Sequence, residues 1–147
     1  MTDELLESAW RVQLLDVIGR YAHCMDDGSF DELESLFADD ATFDITPDPG
    51  IVKVPITGQR AIREALEARY ADVTKEAQRR HIMSTTIFND VSATTAAART
   101  FLTVVSTSKA DGSLTLHGSG IYHDRFVRDG SRWVFSERLL YVDTLST

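Results

Sequence analysis

The chain is organised around the stretch Tyr21-Ala22-His23-Cys24-Met25-Asp26-Asp27-Gly28-Ser29-Phe30-Asp31. Before it, apolar residues recur at helical spacing, which predicts a first helix over residues 2–25. Asp26-Asp27-Gly28 ends that helix, because glycine accepts the left-handed backbone that follows a helix. A second, short helix is predicted over residues 30–38. The stretch therefore brings an aromatic hydroxyl and a carboxylate near one another.

The rest of the chain predicts one more helix and a sheet. A strand over 41–45, an exposed loop over 46–50 with two prolines, and a short edge strand over 51–56 precede a third helix over 59–70. After a polar loop over 71–78, four strand-like runs follow at 79–89, 93–108, 113–128 and 132–143. Short turns between successive strands make an antiparallel meander. We expect an α+β fold, in which three N-terminal helices cover one face of a curved, mostly antiparallel sheet.

The composition limits the classes of partner. The chain of 147 residues has a net charge of −8 and no basic run, which argues against nucleic acid and anionic membranes. Its 43% hydrophobic and 26% charged residues are typical of a globular protein, and the length fits a single domain over 1–147. The lone cysteine, Cys24, excludes an internal disulfide. The acidic N-terminus does not resemble a signal peptide, so we expect a cytoplasmic protein.

The last strand predicts an assembly. Trp133, Phe135, Leu139 and Tyr141 alternate with Val134, Leu140 and Val142, so both faces of this strand are apolar. A sheet that is apolar on both sides needs cover on both sides, and the three helices cover only one. We therefore expect a homodimer or homotrimer that forms through the sheet.

The motifs of the chain, taken in order, resemble those of a known family. They are residues 26–31 (DDGSFD), 36–41 (LFADDA), 58–62 (GQRAI), 120–124 (GIYHD) and 129–135 (DGSRWVF). Together they are similar to SnoaL-like domains of the nuclear transport factor two-like superfamily. The resemblance covers essentially the whole chain. It implies a cone-shaped fold with an internal pocket, which hosts enzymes, binding modules and assembly subunits alike.

Within that superfamily, the pattern most resembles scytalone dehydratase, bile-acid 7-alpha-dehydratase and lindane dehydrochlorinase. The resemblance implies that Asp26, after the first helix, pairs with His81 on the first long strand. It also gives a catalytic role to Tyr21 and to Arg138 of the last strand. Tyr122 departs from the polar amide of scytalone dehydratase, so the substrate of that enzyme is not implied.

These residue types fit proton abstraction. Removing a proton next to a carbonyl, or anti to a leaving group, needs a base that titrates near neutral pH, and imidazole is such a base. On this interpretation His81 is the base and Asp26 orients it, while Tyr21 donates to a developing oxyanion and Arg138 supplies positive charge. Alternatively Asp26 is itself the base, as an aspartate is in ketosteroid isomerase. Neither route requires a metal or an organic cofactor.

Apolar residues of the predicted strands supply candidate walls for a substrate pocket, with two polar side chains among them. The candidates are Phe43, Met83, Phe88, Leu102, Val104, His117, Ile121, Tyr122 and Leu140. His117 and His123 are six residues apart in one strand, hence on the same face and about 20 Å apart, too far to share a metal ion. Cys24 is expected to be a small buried hydrophobe.

Three functions remain open from the sequence. The first is a cofactor-independent lyase or isomerase that acts on a small apolar polycyclic, steroid-like or polyketide-like molecule. The second is a non-catalytic ligand-binding or assembly module in which Asp26 and His81 are buried polar structure. The third is the small subunit of an aromatic-ring dioxygenase, for which the chain lacks the expected length.

Overall fold

The computed structural model describes residues 1–143. In chain order its elements are α1 (Asp3–Asp27), α2 (Phe30–Ser35), β1 (Phe37–Thr46), β2 (Ile56–Thr57), α3 (Gln59–Val73), β3 (Ala77–Asn89), β4 (Thr95–Ser108), β5 (Leu114–Asp129) and β6 (Arg132–Val142).

Both ends of α1 are defined by local hydrogen bonds. The Thr2 side chain accepts from the Leu5 N–H at 3.3 Å, as an N-cap residue does. At the other end Gly28 has φ 77° and donates its N–H to the Cys24 carbonyl at 2.9 Å. A Cβ at position 28 would lie 2.8 Å from the Tyr70 ring of α3. Glycine is therefore required both by the backbone conformation and by the close approach of α3.

The six strands within residues 1–143 form one sheet in the order β2-β1-β6-β5-β4-β3. β1 and β6 pair in parallel, and every other neighbouring pair is antiparallel. The sheet is curved and unclosed, and the three helices pack against it. The predicted α+β fold, with helices on a mostly antiparallel curved sheet, is confirmed.

Aromatic side chains join α1 to the sheet at the centre of the core. The Tyr21 ring packs edge-on against Phe37, Tyr122 and Phe135, with ring centroids 6.2, 6.1 and 6.1 Å away. Such edge-to-face contacts add to the free energy that the burial of the rings provides. They fix the position of the Tyr21 side chain, which is 1% exposed.

Several predicted boundaries are wrong. α2 ends at Ser35 rather than at residue 38, because the Leu36 carbonyl accepts from the Phe135 N–H at 2.8 Å and the chain joins the sheet there. β1 begins at Phe37 rather than at residue 41, and its pairing with β6 is irregular between Phe37 and Thr42. The edge strand expected over 51–56 is reduced to Ile56–Thr57. β3 begins at Ala77, inside the predicted loop.

Besides the irregular pairing of β1 with β6, three bulges interrupt the alternation of side chains along the strands. In β3 the register shifts between Ser84 and Ile87, where Thr85 has φ 54°. In β5 His117 is an extra residue between Leu116 and Gly118. In β6 the register shifts at Ser136. Each bulge exchanges the faces of the residues beyond it, so a strict period of two fails along all three strands.

Two predictions about strand faces are therefore wrong. His117 points to the concave face, where it bonds Ser106, whereas His123 packs against Tyr141 on the other face with ring centroids 4.7 Å apart. In β6 Phe135 is 0% exposed in the core and Tyr141 is 46% exposed on the outer face, although simple alternation placed them together.

The outer face of the sheet, away from the helices, carries an apolar row. Phe101, Ile121 and Tyr141 are register partners across β4, β5 and β6. Phe101 and Tyr141 are each nearly half exposed, and Ile82 of β3 is exposed on the same side. This face is the apolar surface that the sequence predicts to be left uncovered by the helices.

Among the helices of residues 1–143, no segment combines the length and the hydropathy that crossing a membrane would need.

Candidate active site

A cavity of about 710 Å³ opens between the concave face of the sheet, α1 and α3. Its lining is mainly apolar, as is usual for sites that bind small organic molecules. α1 contributes Met25, α3 contributes Leu66, and β1 contributes Phe43 and Ile45. Residues Pro49, Ile51 and Val52 of the loop between β1 and β2 also line it, so this loop forms part of the cavity wall.

The Asp26 carboxylate is held by His81 through two hydrogen bonds. One oxygen, Oδ1, lies 2.7 Å from His81 Nδ1, and the other, Oδ2, accepts the His81 backbone N–H at 2.9 Å. The side chains are 6% and 13% exposed. The Gln78 side chain donates to the Asp26 carbonyl at 3.0 Å, which further ties the end of α1 to the start of β3.

The contact with Asp26 indicates which ring nitrogen of His81 carries the hydrogen. An ionised carboxylate only accepts hydrogen bonds, so Nδ1 carries a hydrogen and donates it in a hydrogen bond to Asp26. Nε2 is then the nitrogen left with a lone pair. The His81 side chain lines the cavity, and Asp26 lies behind it and does not. The site can thus present an unprotonated imidazole nitrogen to a molecule in the cavity.

Tyr21 and Tyr122 line the cavity next to each other, and they are 1% and 2% exposed. Burial raises the pKa of Tyr21 well above its usual value, and the neighbouring Tyr122 raises it further, while Arg138 opposes both. Burial also raises the pKa of Tyr122. Both phenols therefore remain protonated and can donate hydrogen bonds.

Arg138 lies behind the two tyrosines, away from the cavity. Its guanidinium carbon is 4.0 Å from the Tyr21 ring centroid and 3.6 Å from that of Tyr122. Its Nε lies 3.0 Å from Asp124 Oδ1, with both side chains 0% exposed. Arg138 therefore lies close to the site without lining the cavity, because the two tyrosine rings separate its guanidinium, which is paired with Asp124, from the cavity.

Burial raises the pKa of Asp124 to about 6, against the opposing effect of Arg138. The 3.0 Å approach of Arg138 Nε is not aligned as a hydrogen bond, and the Nη2 contact to Oδ2 is long at 3.5 Å. The ion pair is thus close but imperfectly bonded, which agrees with the raised pKa of the carboxyl group.

A second histidine lies at the mouth of the cavity. His117 Nε2 is 2.6 Å from the Ser106 hydroxyl, and both residues line the cavity. The bulge at position 117 turns this side chain inward. His117 therefore lies at the mouth, and only a ligand that reaches that far would contact it.

Six of the nine predicted wall residues line the cavity: Phe43, Leu102, Val104, His117, Tyr122 and Leu140. Three others do not, and these positions are corrected. Ile121 lies on the outer face of the sheet, where it pairs with Phe101 and Tyr141. Met83 and Phe88 pack against the core, on the part of β3 that continues past His81, and Phe88 lies under Arg11 of α1.

Three cations of the cavity wall, Arg69, Lys75 and Arg79, were not predicted as site residues, and two of them follow from the spacing of the sequence. Arg79 precedes His81 by two residues in β3, so the period of two places both on the concave face. Arg69 continues the buried row of Ile62 and Leu66 along α3. Both could have been found from their spacing to a residue already assigned to the interior.

Cys24 is 2% exposed, and burial raises the pKa of its thiol to about 12, so it is a small core residue. Within residues 1–143, no group of three His, Cys, Asp or Glu side chains is arranged to hold a metal ion.

The fold and site together define a class: a cone-like α+β domain with a polar dyad at the wall of an apolar cavity. A family model for the SnoaL-like domain matches residues 7–139. The chain belongs to this family, whose fold is that of the nuclear transport factor two-like superfamily. A search among curated proteins gives no match.

Solved structures share this architecture. Rv3472 of Mycobacterium tuberculosis, a protein of unknown function, is 22% identical with a TM-score of 0.83, over 99% of this chain and 78% of that one. A candidate scytalone dehydratase from Novosphingobium aromaticivorans is 21% identical with a TM-score of 0.74, covering 98% and 89%. A protein from Catenulispora acidiphila in complex with S-DNPA is 24% identical with a TM-score of 0.74, covering 92% and 95%. These likenesses show that this chain shares the fold of those proteins.

Proposed function

We propose that this SnoaL-like domain is a cofactor-independent lyase or isomerase, with His81 as the base and Asp26 as its orienting partner. Its substrate is a small polycyclic, steroid-like or polyketide-like molecule that loses water or shifts a double bond. The observation that supports this most directly is the 2.7 Å contact of Asp26 with the His81 ring at the wall of an apolar cavity.

In the proposed step, His81 Nε2 takes a proton from a carbon next to a carbonyl group. The imidazolium that forms is stabilised by Asp26, whose carboxylate already accepts the Nδ1 hydrogen. The electron pair moves to the carbonyl oxygen, giving an enolate. The His81 imidazolium then returns its proton, either to the β-hydroxyl, which leaves as water, or to a distant carbon. The first completes a dehydration and the second an isomerisation.

Tyr21 is the proposed donor to the enolate oxygen or to the leaving hydroxyl. Its pKa is raised by burial, so it remains a neutral donor at working pH, and it lines the same cavity as His81. Arg138 acts through Tyr21 and Tyr122, because its guanidinium lies on both rings and its charge orients them. It is a positioning residue rather than a group that touches substrate.

The test separates proton abstraction from loss of water. The exchange of α-protons of β-tetralone in deuterated water, followed by NMR, reports abstraction alone. A β-hydroxy derivative of tetralone reports the elimination. We expect His81→Ala to abolish catalysed exchange and Asp26→Asn to reduce it by about two orders of magnitude or more. His23→Ala and Asp27→Asn are matched controls, because both side chains are exposed on α1.

Unfolding measurements accompany the kinetics. If the dyad is structural only, removal of one partner lowers the free energy of unfolding by about 3–5 kcal/mol and no variant changes the exchange rate. Wild-type protein that exchanges β-tetralone no faster than buffer, while binding it, rejects the enzyme and favours the second function below.

The second candidate is a ligand-binding module without catalysis. One specific observation favours it: the Asp26 carboxylate also accepts the His81 backbone N–H, a bond that holds α1 to β3 and needs no reaction. The neighbouring protein from Catenulispora acidiphila that carries a small molecule supports binding under either function.

We further propose a homodimer or homotrimer formed through the outer face of the sheet. The apolar row of Phe101, Ile121 and Tyr141 supports it, because three exposed or half-buried apolar side chains lie side by side across adjacent strands. A second subunit would remove this row from water.

A further inference from the structure

Arg79 is a cation of the cavity wall without a compensating partner. Its Nε is buried and has no hydrogen-bond partner, and its side chain forms no ion pair, within residues 1–143. The charge of Asp26 raises the pKa of Arg79, but both oxygens of that carboxylate already contact His81. Burial of a cation costs free energy that only a partner restores. In a protein of net charge −8, a half-buried guanidinium without an acidic partner is unusual.

A second guanidinium adds to the positive charge at this wall. Arg69 of α3 lines the same cavity. Burial is the main cause that lowers the pKa of Arg79, and the charge of Arg69 lowers it further. Arg69 pairs with Asp72 at 3.6 Å, but Asp72 is 67% exposed and also contacts Lys75 at 3.5 Å. Glu76 lines the cavity as well and is exposed. Three cations, Arg69, Lys75 and Arg79, therefore share this wall with two exposed carboxylates, and among the described residues Arg79 is the one of the three that forms no ion pair.

We propose that Arg79, assisted by Arg69, binds the carboxylate of an organic acid whose ring system occupies the apolar part of the cavity. This names the substrate class and rests on the proposed function only for the identity of the cavity as the substrate site. Arginine binds carboxylates through paired, charge-assisted hydrogen bonds, which are stronger than neutral ones. The incoming anion also relieves the repulsion between the two guanidinium groups.

The spacing of Arg79 and His81 restricts the shape of this acid. Two residues along a strand span roughly 7 Å on the same face. The carboxylate and the carbon that loses its proton are therefore separated by several bonds, which corresponds to a polycyclic core with an acid side chain. The cavity of about 710 Å³ accommodates a molecule of this size.

Calorimetry with two probes of the same shape tests the proposal without any turnover. Naphthoate carries the carboxylate, and naphthamide replaces it by a neutral amide. We expect wild-type protein to bind naphthoate at least about tenfold more tightly than naphthamide. We expect Arg79→Gln to remove this preference while it leaves naphthamide binding unchanged. Arg80→Gln is the matched control, because it removes the same charge from the exposed face of β3 and should keep the preference.

If Arg79→Gln does not fold, Arg79→Lys and Arg69→Gln test the proposal in its place. We expect each of them to reduce the preference for naphthoate in part. Equal binding of the two probes by wild-type protein, no binding of naphthoate, or a preference that survives in Arg79→Gln overturns the proposal. If the preference is present and catalysed proton exchange is absent, the anion site stands and the proposed enzyme does not.

Discussion

Both carboxylate oxygens of Asp26 contact one residue, His81: one contacts its ring and the other accepts its backbone N–H. A single residue thus orients the proposed base and joins α1 to β3. The two effects differ in what they require, because the ring contact needs an imidazole and the backbone contact needs only a peptide N–H. His81→Ala keeps the backbone bond and loses the ring contact, whereas Asp26→Asn weakens both. The two variants together therefore separate orientation from structure.

At Tyr21 the raised pKa predicts a pH dependence. The unfolded phenol loses its proton near 10.0, whereas the folded one holds it, so the unfolded state binds fewer protons above that pH. Stability contributed by Tyr21 is present below pH 10.0 and falls as the pH rises beyond it. We expect near-ultraviolet titration of the folded protein to show the same phenolate signal for wild-type and Tyr21→Phe at pH about 11. In urea, where the chain is unfolded, the variant should lose one of four tyrosine signals. A folded wild-type protein that gains an extra phenolate over the variant near pH 10.0 would contradict the burial effect.

At Arg138 the expected effect is on stability. Arg138→Met leaves the Asp124 carboxyl buried without its partner, and we expect a loss of about 3–5 kcal/mol in urea unfolding. Arg125→Met is a matched control in the adjacent register pair, because Arg125 and Glu137 are 72% and 58% exposed and 3.3 Å apart. That change should cost less than about 1 kcal/mol. Similar losses for both variants would show that burial does not govern the Asp124–Arg138 pair.

The positions of some site residues could be predicted from the sequence. The resemblance brings Asp26 and His81 together, and the period of two brings Arg79 to the same face. The position of Arg138 could not be predicted, because it depends on Asp124, whose burial is set by neighbouring strands. The catalytic role of the dyad stays a prediction.

Among the helices, two glycines of the α1 region give opposite predictions. Gly28→Ala places a Cβ 2.8 Å from the Tyr70 ring at φ 77°, and we expect a loss of roughly 1–3 kcal/mol. Gly19→Ala lies inside α1 with no atom within 4 Å of the new Cβ, and we expect a gain of roughly 0.5–1 kcal/mol. Thermal and urea unfolding of both variants measure the difference. A neutral Gly28→Ala would show that Tyr70 and the end of α1 move apart easily.

Element types were predictable because long segments have strong periodicities. The exceptions have local physical causes. Residues 51–55 do not pair although they alternate, and two of them line the cavity instead of joining the sheet. The bulges at Thr85, His117 and Ser136 could not be predicted, since an inserted residue does not change the composition of a strand. Each bulge exchanges the two faces, and this is why the predicted faces of His123 and Tyr141 were wrong.

For the whole molecule, the apolar row on the outer face predicts self-association. We expect wild-type protein to sediment as a dimer or trimer at micromolar concentration and Phe101→Glu to shift it toward the monomer, because a charge cannot be buried unpaired in an interface. Leu5→Glu is the control, since Leu5 is 58% exposed on α1 and away from the sheet. A wild-type monomer, or a Phe101→Glu variant that still assembles, would contradict this interface.

The extra residue at His117 has an evolutionary consequence. The pairing of β4 with β5 resumes in register on both sides of it, at Val104 with Gly118 and at Val105 with Leu116. Gaining or losing one amino acid there alters which groups surround the entrance and leaves the dyad, whose members lie on α1 and β3, undisturbed. The lining of the entrance can therefore diverge among relatives by small insertions and deletions while the contact of Asp26 with His81 is inherited unchanged.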